Sequence, residues 1–212
     1  MQPIENARAF RRGAGFLTFI GKAGAKYDLP IDLHFDDGRP VLLAGNHRSL
    51  FDLVAALATF RNADMTCRVM VRGDLVDAKG LGGRFLRNIG CIPTSKDHKE
   101  EAEAAAIEAL LNNELVCMMP EGRLTLPSER IDGVGPGRPG VSRIARAANA
   151  LVVPVGISGS AKVWPRGKTP RPRFKRPTVT VRIGEPLDFQ TDDHTANTAK
   201  VMEAIGALLV DD

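Results

Sequence analysis

The segment from Asn46 to Asp52 combines residue types and spacing that could carry out acid-base chemistry. It follows the apolar run Val41 to Ala44 and precedes apolar residues at helical spacing, so it is predicted to join a strand to a helix. Such junctions lie at the carboxyl edge of α/β sheets, where active sites are common. The Asp52 carboxylate could then bind one imidazole nitrogen of His47 and leave the other nitrogen free. This pairing predicts a general base that takes a proton from a hydroxyl group.

A second polar turn, from Pro120 to Arg123, follows the continuous apolar run Leu115 to Met119, which is typical of a strand buried on both faces. Glu121 and Gly122 offer hydrogen-bond acceptors at the strand end, and the Arg123 guanidinium could bind phosphate through two parallel hydrogen bonds. A simple strand-to-loop turn would explain these residues if they stood alone. Two such turns in one chain favour a site.

Other reactive side chains fit this chemistry less well. Ser49 follows His47 too closely to be its nucleophile and lacks a G-x-S-x-G motif, so a supporting role is predicted. The glycines of Gly133 to Gly140 predict a flexible loop beside the site, with Arg138 as a possible anion contact. The remaining candidates share no metal-ligand or disulfide spacing, so no metal or cofactor is predicted; they are His34, His98, His194, Cys67, Cys91 and Cys117. The three cysteines are assigned to the core.

Apolar periodicity predicts strands that alternate with helices along the chain. The predicted strands are Val41 to Ala44, Arg68 to Val71, Gly90 to Pro93, Leu115 to Met119, Leu151 to Ile157 and Thr178 to Ile183. One helix is predicted to begin near Leu50. The other predicted helices cover Arg84 to Asn88, 99 to 112, Val141 to Ala148 and Thr195 to Leu209. This order indicates a single α/β domain with a central, mostly parallel sheet covered by helices.

The first 30 residues mix cations with apolar side chains, including Arg11, Arg12, Phe16 and Phe19. They predict a short pair of helices that lies on a membrane surface, followed by the main domain over residues 31–212. A helix packed on the core is the alternative. Residues 161–177 hold seven cations and no acid, among them Arg171, Arg173, Lys175 and Arg176. This run predicts a contact with an anionic membrane or a donor molecule, unless it is only a solvated face.

Composition excludes several classes of protein. The chain has 212 residues, with 43% hydrophobic and 25% charged residues, which is ordinary for one globular domain and argues against a disordered chain. No apolar run reaches the roughly 18 residues that span a bilayer, and no signal-peptide pattern is present. A cytoplasmic protein in a reducing compartment is therefore expected. Few aromatic residues argue against a nucleic-acid partner.

Four blocks, in order and spacing, resemble the glycerolipid acyltransferase family typified by 1-acyl-glycerol-3-phosphate acyltransferase. Asn46 to Asp52 matches N-H-x-S-x-x-D, and Gly90 to Lys96 is similar to G-x-I-P-V-x-R with lysine in place of arginine. Pro120 to Gly122 matches the start of P-E-G-T-R, although Arg123 directly follows the glycine. Val152 to Val155 is similar to the fourth block, whose proline is Pro154 here.

The resemblance implies an acyltransferase that moves a fatty acyl group from acyl-CoA or acyl carrier protein to a lysoglycerolipid, with lysophosphatidate as the expected acceptor. It implies His47 as general base and Asp52 as the residue that orients it. Backbone N–H groups after His47 would stabilise the oxyanion. The substrates would contact Asn46, Ser49, Lys96, Glu121, Gly122, Arg123 and Pro154.

The enzyme is expected at the inner face of the cell membrane as a peripheral protein. Another lysolipid or a glycolipid acceptor remains open at this stage. So does a non-catalytic adaptor on the same fold, although the intact His47 and Asp52 argue against it.

Overall fold

The computed structural model describes residues 4–30, 33, 35, 38–165, 167 and 175–210. Its strands are β1 (Lys26–Asp28), β2 (Val41–Gly45), β3 (Cys67–Arg72), β4 (Ile92–Thr94), β5 (Leu115–Met118), β6 (Leu151–Ser158) and β7 (Thr178–Ile183). Its α-helices are α1 (Ala7–Gly21), α2 (Phe51–Asn62), α3 (Gly73–Val76), α4 (Leu81–Asn88), α5 (Lys99–Leu111), α6 (Gly140–Ala147), α7 (Ser160–Val163) and α8 (His194–Ala207). A 3-10 turn covers Pro127–Glu129.

The strands form one sheet in the order β1-β7-β6-β2-β5-β3-β4. Every neighbouring pair is parallel except β6 and β7, which are antiparallel. Gly45 pairs with Val155 and Ala44 pairs with Met118, so β2, β5 and β6 end at the same side of the sheet. We call this side the carboxyl edge. Because β7 and β1 run in the opposite direction, they begin there.

Helices cover both faces of the sheet, since its central strands are apolar on both sides. One face packs against α1 and α2 through side chains that include Phe10, Leu57 and Val153. The other face packs against α5, α6 and α8 through side chains that include Leu110 and Ile205. The predicted single α/β domain with a mostly parallel sheet is confirmed. Full burial of both faces explains why β2 and all of β6 before Ser158 are apolar.

The N-terminal segment differs from its prediction. It contains the single helix α1 rather than a pair of helices, and residues 26–28 form β1, which pairs with β7. Three residues are too few to show a strand periodicity, so only pairing with β7 identifies β1. Helix α1 buries Phe10 against the core but leaves Phe16 61% and Phe19 76% exposed. One face of α1 therefore packs on the core, as the alternative prediction expects. The other face exposes the apolar side chains that were predicted to lie on a membrane surface.

None of the helices in the described part of the chain is both long and apolar enough to cross a bilayer.

Candidate active site

His47 and Asp52 meet at the turn between β2 and α2. The Nδ1 atom of His47 lies 3.0 Å from Oδ2 of Asp52. The carboxylate is fully buried in the first turn of α2, near the positive end of the helix dipole, whereas the imidazole is 21% exposed. In a neutral imidazole bound this way, Nδ1 donates its proton to the carboxylate and Nε2 is the acceptor. Nε2 has no partner among the described residues, so it is free to take a proton.

The Asp52 carboxylate also holds the turn that carries His47. Its Oδ2 atom accepts the backbone N–H groups of Arg48 and Ser49, each at 2.8 Å. The N–H of Phe51 donates to the Ser49 hydroxyl at 3.0 Å. These three N–H groups were among the predicted donors to an oxyanion. Since each already has an acceptor within the protein, the structure gives them a role in shaping the turn instead.

Asn46 and Ser49 contact the protein framework rather than the open edge. Asn46 is completely buried, donates from Nδ2 to the Ile157 carbonyl at 2.9 Å and accepts the Ile157 N–H at 2.7 Å. The Ser49 hydroxyl donates to the Trp164 carbonyl at 2.8 Å. The expected substrate contacts of these two side chains are thus replaced by hydrogen bonds that fasten the turn to β6 and α7. The supporting role predicted for Ser49 fits this placement.

Glu121 joins the second predicted turn to the first. It is 2% exposed, and its Oε1 atom accepts the backbone N–H of His47 at 2.8 Å. Its Oε2 atom accepts the hydroxyl of Thr125, whose own N–H donates to the His47 carbonyl at 3.1 Å. The structure therefore places Glu121 behind His47 as a positioning residue, and not at the surface as the expected acceptor contact.

Sequence reasoning missed Thr125. The third block has no threonine directly after Gly122, and the threonine two residues beyond Arg123 was the available signal.

Gly122 occupies a position that favours glycine. Its φ angle is +66°, in the left-handed region, and a Cβ atom there would lie 2.9 Å from Nε of Arg138. Arg138 donates from its backbone N–H to the Pro120 carbonyl at 2.9 Å. The loop that contains Arg138 therefore packs directly on the Glu121 turn, as the glycine-rich segment predicted.

Arg48 fastens the same loop from the other side, which the sequence did not indicate. Its guanidinium is largely buried and donates to the Gly133 carbonyl from Nε at 3.0 Å and from Nη2 at 2.7 Å. Further along the loop, a Cβ atom on Gly135 would lie 2.7 Å from Oε2 of Glu121. The two turns and this loop thus form one packed unit at the carboxyl edge.

Of the remaining predicted substrate contacts, Arg123 is exposed and forms a bidentate ion pair with Glu129. Its Nη1 and Nη2 atoms donate to the two carboxylate oxygens at 2.9 and 2.7 Å. This hydrogen bonding raises the pKa of Arg123. Lys96 is exposed just beyond β4. Three strand spacings separate β4 from β2, which is about 14 Å across the sheet. Pro154 is buried within β6, where Gly184 packs against its ring. The structure therefore does not place the Pro154 side chain at an open surface beside His47.

The two basic segments lie next to each other, because β1 pairs with β7. Arg176 donates from Nη1 to the Lys22 carbonyl at 2.7 Å, and Lys175 is exposed beside it. In α1, Arg12 is exposed and Arg11 forms an ion pair with Asp64. Two further predicted contacts, at positions 171 and 173, lie outside the described residues.

A metal centre finds no support in the described residues, where no three His, Cys, Asp or Glu side chains converge. His98 pairs with Glu101, while His194 contacts the Ser142 hydroxyl. The third histidine that was weighed as a ligand, at position 34, lies outside the described part of the chain. Burial raises the pKa of the Cys91 thiol to about 12, which disfavours the thiolate that a nucleophile requires.

Comparisons with known proteins bear on the fold and on the family of this chain. Curated protein sequences give no significant match, whereas six chains of known structure match significantly. One is the crystal structure of the 1-acyl-sn-glycerophosphate (LPA) acyltransferase PlsC from Thermotoga maritima, which is 19% identical with a TM-score of 0.68. The match covers 95% of this chain and 77% of that chain, and it shows a shared fold. The family model described as Acyltransferase matches residues 28–158, more than half of the chain. The chain therefore belongs to the acyltransferase family, as its four sequence blocks predicted.

Proposed function

We propose that this enzyme transfers a fatty acyl group from an acyl thioester to a hydroxyl of a lysoglycerolipid, with His47 as general base. The observation that carries the proposal is the His47 Nδ1 contact with buried Asp52 at 3.0 Å, which leaves Nε2 without a partner among the described residues. An acyltransferase needs a base at the acceptor hydroxyl, and an imidazole with one free nitrogen can supply it.

In the proposed reaction, Nε2 of His47 removes the proton of the acceptor hydroxyl as its oxygen attacks the thioester carbonyl. The Asp52 carboxylate stabilises the imidazolium that forms. The tetrahedral intermediate then collapses, the carbon–sulfur bond breaks, and the thiolate takes the proton from the imidazolium. The thioester supplies the activation, so the reaction as proposed requires no cofactor.

Lysophosphatidate is the proposed acceptor and phosphatidate the proposed product, in phospholipid synthesis. Support comes from the fold shared with an enzyme named for this acceptor and from the cation next to the Glu121 turn. Arg123 is the first candidate to bind the acceptor phosphate, because its loop is hydrogen-bonded to the His47 turn through Thr125. Lys96 is the second candidate. Its greater distance from β2 suits it to a contact at the rim of the site.

Peripheral attachment to the inner face of the cell membrane would bring the enzyme to its acceptor. Helix α1 presents Phe16, Phe19 and Ile20 to solvent, while its last residue, Gly21, packs near Phe51 at the start of α2. The exposed apolar face thus approaches the carboxyl edge that carries the site. Nearby cations would add attraction to an anionic leaflet, about 1 kcal/mol for each residue near the surface.

Liposome sedimentation tests the attachment. We expect the intact chain to pellet with anionic liposomes at low salt and to be only partly released by high salt, because apolar insertion is not screened. The variant Phe16→Ser/Phe19→Ser should be released almost completely. Leu111→Ser, which changes an exposed apolar residue at the end of α5, is the matched control and should behave like the parent. Equal pelleting of the double variant in high salt would refute attachment through α1.

The activity itself is tested with purified protein, labelled acyl-CoA or acyl carrier protein, and a panel of lysolipid acceptors. His47→Ala should lower the rate by about a hundredfold to ten-thousandfold, because general-base catalysis accelerates reactions by about this factor. Asp52→Asn should lose most of the rate and also some stability, since the carboxylate holds the turn. Circular dichroism checks that each variant is folded. Near-normal turnover by folded His47→Ala, with any donor and acceptor, would contradict the mechanism.

A further inference from the structure

A groove of about 760 Å³ lies between α1, α2 and β1, on the α1 face of the sheet. This volume is typical of sites for small molecules. Its apolar lining includes Phe10, Ala58 and Met65, and its cations include Lys22 and Lys26. We call it the basic groove. The proposed acyl transfer at His47 does not use it.

The charges of the basic groove are unevenly placed. At one end, the Arg11–Asp64 ion pair joins α1 to the turn after α2, so these two charges compensate each other. At the other end, Lys22 and Lys26 lie where α1 ends and β1 begins, which is the carboxyl edge. Neither lysine has an ion-pair partner in the described part of the chain. The groove therefore presents uncompensated positive charge at the edge that carries the site.

Tyr27 forms part of the groove wall. Tyr27 stacks on Phe51 with ring centroids 6.1 Å apart, and its hydroxyl is buried without a hydrogen bond to any described residue. Burial raises the pKa of Tyr27 to about 12, so the hydroxyl is neutral. The hydroxyl lies against Gly21 and has no accessible surface, so the phenol ring lines the groove and the hydroxyl does not open onto it.

A chain of contacts connects this end of the groove to the His47 turn. Ser49 donates to the Trp164 carbonyl just after α7. The preceding residue, Val163, lies next to Gly24, where a Cβ atom would be 3.3 Å from Cγ1 of Val163. Three strand spacings separate β1 from β2, which is about 14 Å across the sheet. An extended phosphopantetheine arm can bridge such a span.

We propose that the basic groove binds the phosphate-bearing end of acyl-CoA while the thioester lies at His47. This inference rests on the proposed function. Lys22 and Lys26 would bind the phosphates through charge-assisted hydrogen bonds, and the apolar lining would receive the adenine ring. A concave site of this size suits a nucleotide better than the convex surface of a carrier protein.

Direct binding of CoA, measured by calorimetry without membranes, tests the inference. Lys22→Gln/Lys26→Gln should weaken CoA binding by about tenfold or more, because charge-assisted contacts are lost. The matched control Lys79→Gln/Lys200→Gln removes two exposed charges elsewhere and should bind CoA like the parent. Equal CoA binding by both double variants would overturn the inference.

Kinetics with different donors separates this inference from the proposed function. Lys22→Gln/Lys26→Gln should have a higher KM for acyl-CoA than the parent. Its KM for acyl-pantetheine, which lacks phosphate, and its KM for the acceptor should both be unchanged. A defect confined to acyl carrier protein would overturn the inference and assign the lysines to carrier docking. Lysine-dependent CoA binding without acyl transfer to any lysolipid would support the groove site and refute the proposed function.

Discussion

Glu121 contacts His47 only through the backbone, so replacing it tests whether a buried carboxylate positions the base. Alanine at this position removes the acceptor of the His47 N–H, a hydrogen bond of 2.8 Å, and the acceptor of the Thr125 hydroxyl. A buried donor left unpaired costs about 1–3 kcal/mol, and here the His47 N–H loses its acceptor while the Thr125 hydroxyl keeps only the Arg123 carbonyl at 3.5 Å. We expect Glu121→Ala to lower the free energy of unfolding by about 2–4 kcal/mol.

Glutamine keeps the shape of the side chain and most of its contacts. Its carbonyl oxygen can accept the His47 N–H, and its amide can donate to the Thr125 hydroxyl. Only the negative charge that strengthens these hydrogen bonds is lost, so Glu121→Gln should be less stable than the parent by about 1 kcal/mol. Urea unfolding measures both differences. Glu203→Gln, which removes an exposed acid on α8, serves as the matched control and should be as stable as the parent.

Steady-state kinetics then separates positioning from substrate binding. A displacement of about 1 Å at the reacting group can lower a rate about a hundredfold. We therefore expect Glu121→Ala to lose about that much in kcat, and Glu121→Gln less than tenfold, with the acceptor KM unchanged in both. A large rise in acceptor KM, with kcat and stability unchanged, would refute the reasoning. It would restore the acceptor contact that the sequence predicted for Glu121.

Three further predictions concern other parts of the site. Arg123→Ala should raise the acceptor KM far more than the thioester KM, because a charge-assisted phosphate contact contributes about 1.5–3 kcal/mol; equal changes would indicate a purely structural role. Asn46→Ala should lower the free energy of unfolding by about 2–4 kcal/mol, measured in urea, since both backbone groups of Ile157 lose their partner. A variant as stable as the parent would contradict this. In the folded protein at pH 8, Cys91 should react with iodoacetamide about a thousandfold more slowly than an exposed thiol, because its pKa is about 12 and only the thiolate reacts. Rapid alkylation would show that this thiol is accessible.

The sequence alone identified the pairing of His47 with Asp52 and most of the strands and helices. Both depend on local order. The two residues are five positions apart across one strand-to-helix turn, and apolar periodicity marks buried faces within a single element. The strand Thr178–Ile183 has the predicted bounds, and the family inferred from the four blocks is confirmed.

Tertiary structure decided what the other polar residues contact. Asn46 and Glu121 have side chains suited to binding a substrate, but their partners are backbone groups 111 and 74 positions away in sequence. Pairing of β2 with β6 brings Ile157 to Asn46, and pairing of β2 with β5 brings Glu121 to His47. Strand order also joins the two basic segments, through β1 and β7. Residue spacing does not specify this order, because it follows from how several apolar strands are buried together.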